Sequence, residues 1–427
     1  MSMRRYSLPC CAMAVIAAMA SLAHGAGDTV VRALLGDGTW TRAQLVSIGD
    51  GSWTVTGEPS KERVFRESDV IAFIVDRSRG TLDASVDAEA PSPISYGSIE
   101  FTNGQRLPGN FRATRDANLW DHRWIGAVPL DLDQVATLRL RGARTPERRA
   151  DGDSLLLLNG DLLTGFVEKL GEDIEFEPLA PADAADAKPQ RRTIAADRIA
   201  AIALAKSEST RATALRIWSV DGSLVDATAL RFDGKRGWDF DLADPLFAKV
   251  RRMRTSEGVP PAANPIAGLL HAEQLVPLAS AGKPALAVPA EHYHFGSDRA
   301  VRVGATERAL LGLAPIEIAG PIVARFQRPA LLAGVDGPVI FSCEIALAEP
   351  APRDARVDIG IRLGSGEPTN FTLDSARRRV PVTIRQQDLG HGPGAGELEI
   401  TVTDGGNGIA GDTVTLERAC FLVSPRR

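Results

Sequence analysis

The sequence is poor in the residues that most often carry chemistry. Its 427 residues include four cysteines and six histidines, and aromatic residues make up 5%. Cys10 and Cys11 sit in the first apolar stretch, which leaves Cys343 and Cys420 for the rest of the chain and allows one disulfide at most. No Gly-x-Ser-x-Gly elbow, His-Glu-x-x-His helix, phosphate loop or dinucleotide fingerprint occurs, so the chemistries those motifs bring have no support. The formal net charge of −5 is small for this length. It supplies no global field to attract nucleic acid or an anionic membrane. Beyond the N-terminus no run is long and apolar enough to cross a bilayer, so no membrane insertion is expected.

The N-terminus holds the longest apolar stretch. Arg4 and Arg5 precede an apolar run from Cys10 to Ala23, and Ala23-His24-Gly25 offers small residues for cleavage. This is the pattern of a secretory signal over residues 1–25, and it places the mature chain in the periplasm or outside the cell. Cys343 and Cys420 then meet an oxidising compartment, either as a disulfide or as two buried thiols packed as hydrophobes.

At this length a single core is not expected, because cores stop growing near roughly 250–300 residues. A repeat organises the first half. Asp37-Gly38, Asn103-Gly104, Asn159-Gly160 and Asp221-Gly222 recur at intervals of about sixty residues, each after an apolar run and before an alternating one. Such dipeptides suit a two-residue hairpin with φ > 0 at the turn. Later in each unit an aspartate precedes a short apolar run, as at Asp133-Gln134-Val135-Ala136 and Asp197-Arg198-Ile199-Ala200. There it would cap a helical turn entering the strand. Asp69-Val70 is a shifted copy, and Pro245 interrupts the fourth. The expected units are 28–80, 94–142, 152–206 and 212–256. A Pro/Ala-rich linker follows at 257–272. Over 273–427, five strand-like runs without helical periodicity favour a β-sandwich or jelly roll.

Two resemblances sharpen this all-β reading. "NGDLLTG" at Asn159 and "DRIAAI" at Asp197 are similar to the SH3-like or Sm-like barrel repeats of secreted planctomycete-type proteins. "ELEITVTDGGNGIAGDTVTLERACFLV" resembles the end of the NPCBM family, a carbohydrate-binding module with a galactose-binding-like sandwich. The stretches "AEQLVPLASAGKPALAVPAEHYHFGSDRAVRVG" and "IEIAGPIVARFQRPALLAG" follow that family's order. Two departures stand out. Thr413-Val414-Thr415-Leu416 replaces a histidine and tryptophan that relatives carry after the loop, and Gly320-Pro321-Ile322-Val323 lacks a histidine.

The loop 401–414 is the candidate site. Asp404, Asn407 and Asp412 bring side-chain oxygens, and three readings stay open: a calcium site, direct contact with a polar ligand, or a glycine turn with self-bonding side chains. His292 and His294 share a face if their segment is a strand, but zinc would need further ligands and the other histidines are scattered. Asn370-Phe371-Thr372 fits the N-glycosylation pattern. All six tryptophans, Trp40, Trp53, Trp120, Trp124, Trp218 and Trp238, lie in the repeats, where strands favour them as core. The expected partner is a carbohydrate or a cell-envelope protein, with no nucleic acid and no catalysis. The resemblance implies glycan or cell-surface binding. The alternative is an envelope scaffold whose sandwich has lost sugar binding, and an exposed groove lined by Trp53, Trp120 or Trp124 would favour it.

Overall fold

The computed structural model describes residues 29–423, apart from 58–60, 77–96, 115–116, 124, 142–144, 180–190, 207–214, 234–236, 244–251, 255–265, 272–273, 289–299, 305–308, 330–331, 333–337, 387–396 and 407–412. The segment 1–25 read as a secretory signal, His292, His294, Trp124, Pro245, Asn407 and Asp412 therefore lie outside the described residues.

The chain is all-β, with tandem small units followed by a β-sandwich. The first unit comprises β1 (Val30–Leu35), β2 (Trp40–Gly49), β3 (Ser52–Thr56), β4 (Glu62–Arg66) and β5 (Val70–Asp76). The second comprises β6 (Gly97–Phe101), β7 (Arg106–Ala113), β8 (Asn118–His122), β9 (Gly126–Pro129) and β10 (Val135–Arg139). The third comprises β11 (Asp153–Leu157), β12 (Leu162–Lys169), β13 (Asp173–Pro178), β14 (Arg192–Ala195) and β15 (Ile199–Ala203). The fourth comprises β16 (Leu215–Ser219), β17 (Leu224–Asp233), β18 (Gly237–Leu242), β19 (Arg252–Arg254) and β20 (Ile266–His271). In each unit the first strand pairs with both the second and the fifth. Residues 266–271, inside the stretch read as linker, thus supply the closing strand of the fourth unit.

The recurring turn differs in type from the expected two-residue hairpin. Gly38, Gly104, Gly160 and Gly222 each donate their N–H to the carbonyl three residues back, while that earlier residue's N–H bonds to the carbonyl just past the glycine. This is a three-residue loop in which only the glycine has φ > 0, at 87°, 77°, 92° and 89°. The preceding Asp or Asn explains the spacing. Asp37, Asn103, Asn159 and Asp221 each accept, on a side-chain oxygen, the backbone N–H two residues on.

The later aspartates also sit differently. Single 3-10 turns run Glu67–Asp69, Leu132–Gln134 and Ala196–Arg198, so Asp69, Asp133 and Asp197 lie inside the turns and do not cap them. Only in the second does a side chain cap, when Asp131 accepts from the Asp133 N–H.

The sandwich strands are β21 (Leu275–Pro277), β22 (Ala285–Ala287), β23 (Ala300–Val303), β24 (Ile316–Ala319), β25 (Ile322–Phe326), β26 (Val339–Leu347), β27 (Val357–Leu363), β28 (Thr369–Leu373), β29 (Arg379–Gln386), β30 (Leu398–Thr403) and β31 (Thr413–Val423). One sheet has the order β23-β24-β31-β26-β29, with β21 also on β31; the other is β22-β25-β30-β27-β28. β26 is buried on both faces because one side closes the sandwich core and the other packs on the first and fourth units. That interface contains Leu34, Ile71, Trp218, Leu270, Ile340, Cys420 and Leu422.

Strand alternation separates the two cysteines. Val339, Phe341, Cys343 and Ile345 point into the sandwich, as do Ala419 and Phe421, while Ile340, Cys420 and Leu422 point to the interface. Both thiols are free although β26 and β31 are neighbours, because they face opposite sides of one sheet. Of the two readings left open, this structure has the two buried free thiols. Burial raises the Cys343 thiol well above the usual range and pushes Cys420 up to about 12, so neither carries the reactive thiolate. Neither should label with a thiol reagent in the folded protein. Both should label in denaturant without reductant, as read by peptide mass spectrometry; a disulfide would keep both silent.

Candidate functional site

The outer face of the second sandwich sheet carries a polar cleft. β27 reads Val-Asp-Ile-Gly-Ile-Arg-Leu and β30 reads Leu-Glu-Ile-Thr-Val-Thr, so period-two alternation buries the aliphatic set and turns Asp358, Gly360, Arg362, Glu399, Thr401 and Thr403 outward. Register then assembles them into rows. Thr372, Asp358 and Thr403 meet across three strands, then Asn370, Gly360 and Thr401, then Arg362, Glu399 and Arg325. A cleft of about 600 Å³ lies over these rows, with Pro368 and Phe371 along its β28 side.

Each end of the cleft is pre-ordered. Glu399 accepts from Arg325 Nε at 2.8 Å and pairs with Arg362 at 2.9 Å through its other oxygen, so both guanidinium groups are held by one carboxylate. At the far end the Thr372 hydroxyl donates to Asp358 Oδ1. The floor is Gly360, where a Cβ would come within 2.8 Å of Asn370 Oδ1. Glycine there keeps the middle of the cleft deep.

The loop singled out from sequence begins where β30 leaves this cleft. Asp404 follows Thr403 and its Oδ1 accepts the Gly406 N–H at 3.1 Å, so this carboxylate closes its own turn. Gly405 (φ 56°) packs so closely that a Cβ would lie 2.8 Å from the Arg356 carbonyl oxygen. Among the described residues no group of three or more His, Cys, Asp or Glu side chains could hold a metal ion.

A Ser, His and Asp do converge elsewhere, between the second and fourth units. His122 Nδ1 accepts the Ile125 N–H at 3.0 Å, so its proton sits on Nε2 and is donated to Ser223 Oγ at 2.8 Å. Ser223 Oγ in turn donates to Asp221 Oδ1 at 2.6 Å. A nucleophilic serine needs the reverse, a basic Nε2 accepting its proton, with the aspartate on Nδ1. Burial works to raise the Asp221 carboxyl, but hydrogen bonds from His122, Ser219 and Ser223 outweigh it and bring it down to about 2. The cluster is a polar clamp between units.

Among the described residues, Trp53 and Trp120 line no exposed groove. Trp53, Trp120 and Trp238 are at most 2% exposed. Phe73 of the first unit stacks on Trp238 of the fourth at 5.6 Å, and Trp53 meets Phe73 edge-on at 5.0 Å. Sequence reasoning identified the runs containing β27 and β30 as strands but passed over the polar face they build. The one signal was Asn370-Phe371-Thr372, whose Asn370 and Thr372 line the cleft. Among the described residues no helix is long and apolar enough to cross a membrane.

No family model matches the sequence. No curated protein sequence matches it either. Among solved structures, the chain is similar to CBM51 from Clostridium perfringens GH95 in complex with methyl-galactose, at 14% identity over 34% of this chain and 99% of that one, TM-score 0.24. It is similar to the tandem CBM51 modules of Sp3GH98, the family 98 glycoside hydrolase from Streptococcus pneumoniae, at 8% identity over 87% and 88%, TM-score 0.22. It is also similar to the insecticidal crystal protein Cry7Ca1 of Bacillus thuringiensis, at 11% identity over 93% and 52%, TM-score 0.22.

Proposed function

We propose that this is a secreted, non-catalytic carbohydrate-binding protein, in which SH3-like units carry an NPCBM-like sandwich and the polar cleft over β27, β28 and β30 takes the sugar. The cleft is the observation that carries the reading. Sugar hydroxyls both donate and accept, and the cleft presents acceptors (Asp358, Glu399), a donor (Arg362) and groups that do both (Asn370, Thr372, Thr401, Thr403) within one concavity. Its two acidic residues stand at opposite ends, four residues apart along paired strands, which sets their backbone rows roughly 13 Å apart. Each carboxylate is also engaged by the protein, Glu399 by two arginines and Asp358 by Thr372, which supports binding without hydrolysis. The ligand is held by hydrogen bonds more than by aromatic stacking, since Phe371 packs partly against the sandwich core.

Calorimetric titration of the full mature chain with a panel of neutral and acidic oligosaccharides tests this. Arg362→Ala should weaken the best ligand about tenfold or more, since a charge-assisted hydrogen bond contributes about 1.5–3 kcal/mol. Gly360→Val, which fills the floor, should abolish binding while leaving the thermal midpoint close to wild type. No retained glycan, or unchanged affinity in both variants, would overturn the reading.

A further inference from the structure

We propose that two copies of this chain join through the turn edge of the third unit, Leu158, Leu162 and Phe166, in a twofold dimer. The argument begins with how the units already meet. Counting from the turn glycines and from strand partners, Phe73, Leu138, Ile202 and Leu269 occupy the same position of their fifth strands. They meet each other: Phe73 pairs with Leu269 between the first and fourth units, and Leu138 with Ile202 between the second and third. Second strands follow the same rule. Ile48 pairs with Phe232, each eight residues into its strand, and Arg106 pairs with Leu224, each the first residue after the turn. Every described strand pairing between units therefore joins a position to its own equivalent in antiparallel sense, which is the local geometry of a twofold axis.

The turn edges are used unequally. The second and fourth units bury theirs against each other, where Arg106 Nε donates to the Gly222 carbonyl at 3.2 Å and Arg216 donates to the Asn103 carbonyl at 3.2 Å. The first unit's turn enters the sandwich, where Gly38 accepts from Ser342 Oγ at 2.7 Å. The third unit's turn edge faces solvent. Leu162, the equivalent of Trp40, Arg106 and Leu224, is 55% exposed, with Leu158 at 53% and Phe166 at 46%. Leu162 and Phe166 lie on one face of β12 because they are an even number of residues apart. Phe166 stands where the other units carry Gln44, Asn110 and Thr228, all polar. An apolar edge at the position where every other unit is docked marks an interface. The rule of like meeting like identifies the occupant as the same edge of a second chain, with Leu162 opposite Leu162. Such an isologous contact closes after two copies, and it would present two sandwich clefts on one particle.

Sedimentation velocity and disulfide trapping on the full mature chain test the proposal. The wild type should sediment as a dimer at tens of micromolar. Leu162→Glu and Phe166→Glu should each raise the dissociation constant by more than about tenfold, with thermal midpoints unchanged at dilutions where the wild type is monomeric, because both side chains are exposed in the single chain. Leu162→Cys should cross-link into a covalent dimer under mild oxidation, since the new thiol meets its own copy and the two native thiols of the described chain are buried. Val64→Cys, at a position 68% exposed in the first unit, should not. A monomeric wild type whose Leu162→Cys variant fails to cross-link would overturn the proposal and give the edge to a different partner. A dimer that survives Leu162→Glu would overturn it by locating the contact elsewhere.

Discussion

Asp226→Ala is expected to destabilise the repeat array by about 3–5 kcal/mol, the cost of leaving a buried charge without its partner. Arg216 and Asp226 have side chains only 5% and 4% exposed and form a bidentate pair, Nε to Oδ1 at 2.7 Å and Nη2 to Oδ2 at 3.1 Å. The pair also ties two units together. Arg216 Nη2 reaches the Asn103 carbonyl, and Gln105, fully buried, accepts the Asp226 N–H on Oε1 at 2.8 Å. Removing the carboxylate strands the guanidinium where water cannot reach it. Urea titration followed by tryptophan fluorescence should show the loss, and hydrogen exchange should place it in β16 and β17. The double variant Arg216→Met with Asp226→Leu should recover most of the stability, because an apolar pair of similar volume carries no desolvation cost. Equal loss in the single and double variants would mean that geometry, not charge, holds the contact.

How much of this was legible follows from what each residue's signal depends on. The four Asx-Gly turns were readable because the side chain and the glycine act within three residues, and neither needs a partner from elsewhere. Strand runs such as Val357–Leu363 were readable for the same reason, since alternation is local. The cleft was not. Its rows exist only because Asp358 falls opposite Thr403 and Arg362 opposite Glu399, and register between strands some forty residues apart is set by tertiary packing. The fifth strands failed in the opposite way. Ile199–Ala203 is buried at every residue because another unit covers its second face, and a continuous apolar run tells that a strand is enclosed without telling by what. The cysteines show both limits. Their strands were read correctly, yet a bulge at Arg418, where φ is 55°, decides which face Cys420 takes.

The same bulge prepares the second large effect, Gly38→Ala, which is expected to loosen the sandwich from the repeats. Shifting the parity of β31 aims Arg418 across the interface, where its guanidinium lies 5.4 Å from the Trp40 ring centroid and pairs with Glu344. Beside it, the Gly38 carbonyl accepts from Ser342 Oγ at 2.7 Å and Thr383 Oγ1 at 3.2 Å. An added Cβ would stand 2.7 Å from Ile340 Cγ2 and 2.8 Å from Thr383 Cγ2, inside van der Waals contact. Two costs combine: about 1–2 kcal/mol for a left-handed alanine, and about 1–3 kcal/mol for overpacking. Gly222→Ala separates them, since Gly222 has the same turn and a φ of 89° but open space around its Cβ. The excess loss in Gly38→Ala over Gly222→Ala is then the cost of overpacking at the domain contact. It should appear with a specific signature: native-state labelling of Cys420, which faces that contact, should rise in Gly38→Ala, while labelling of Cys343 inside the sandwich should not. Equal labelling of both cysteines would mean that the sandwich itself had opened, and the turn would then be part of its core instead of a latch upon it.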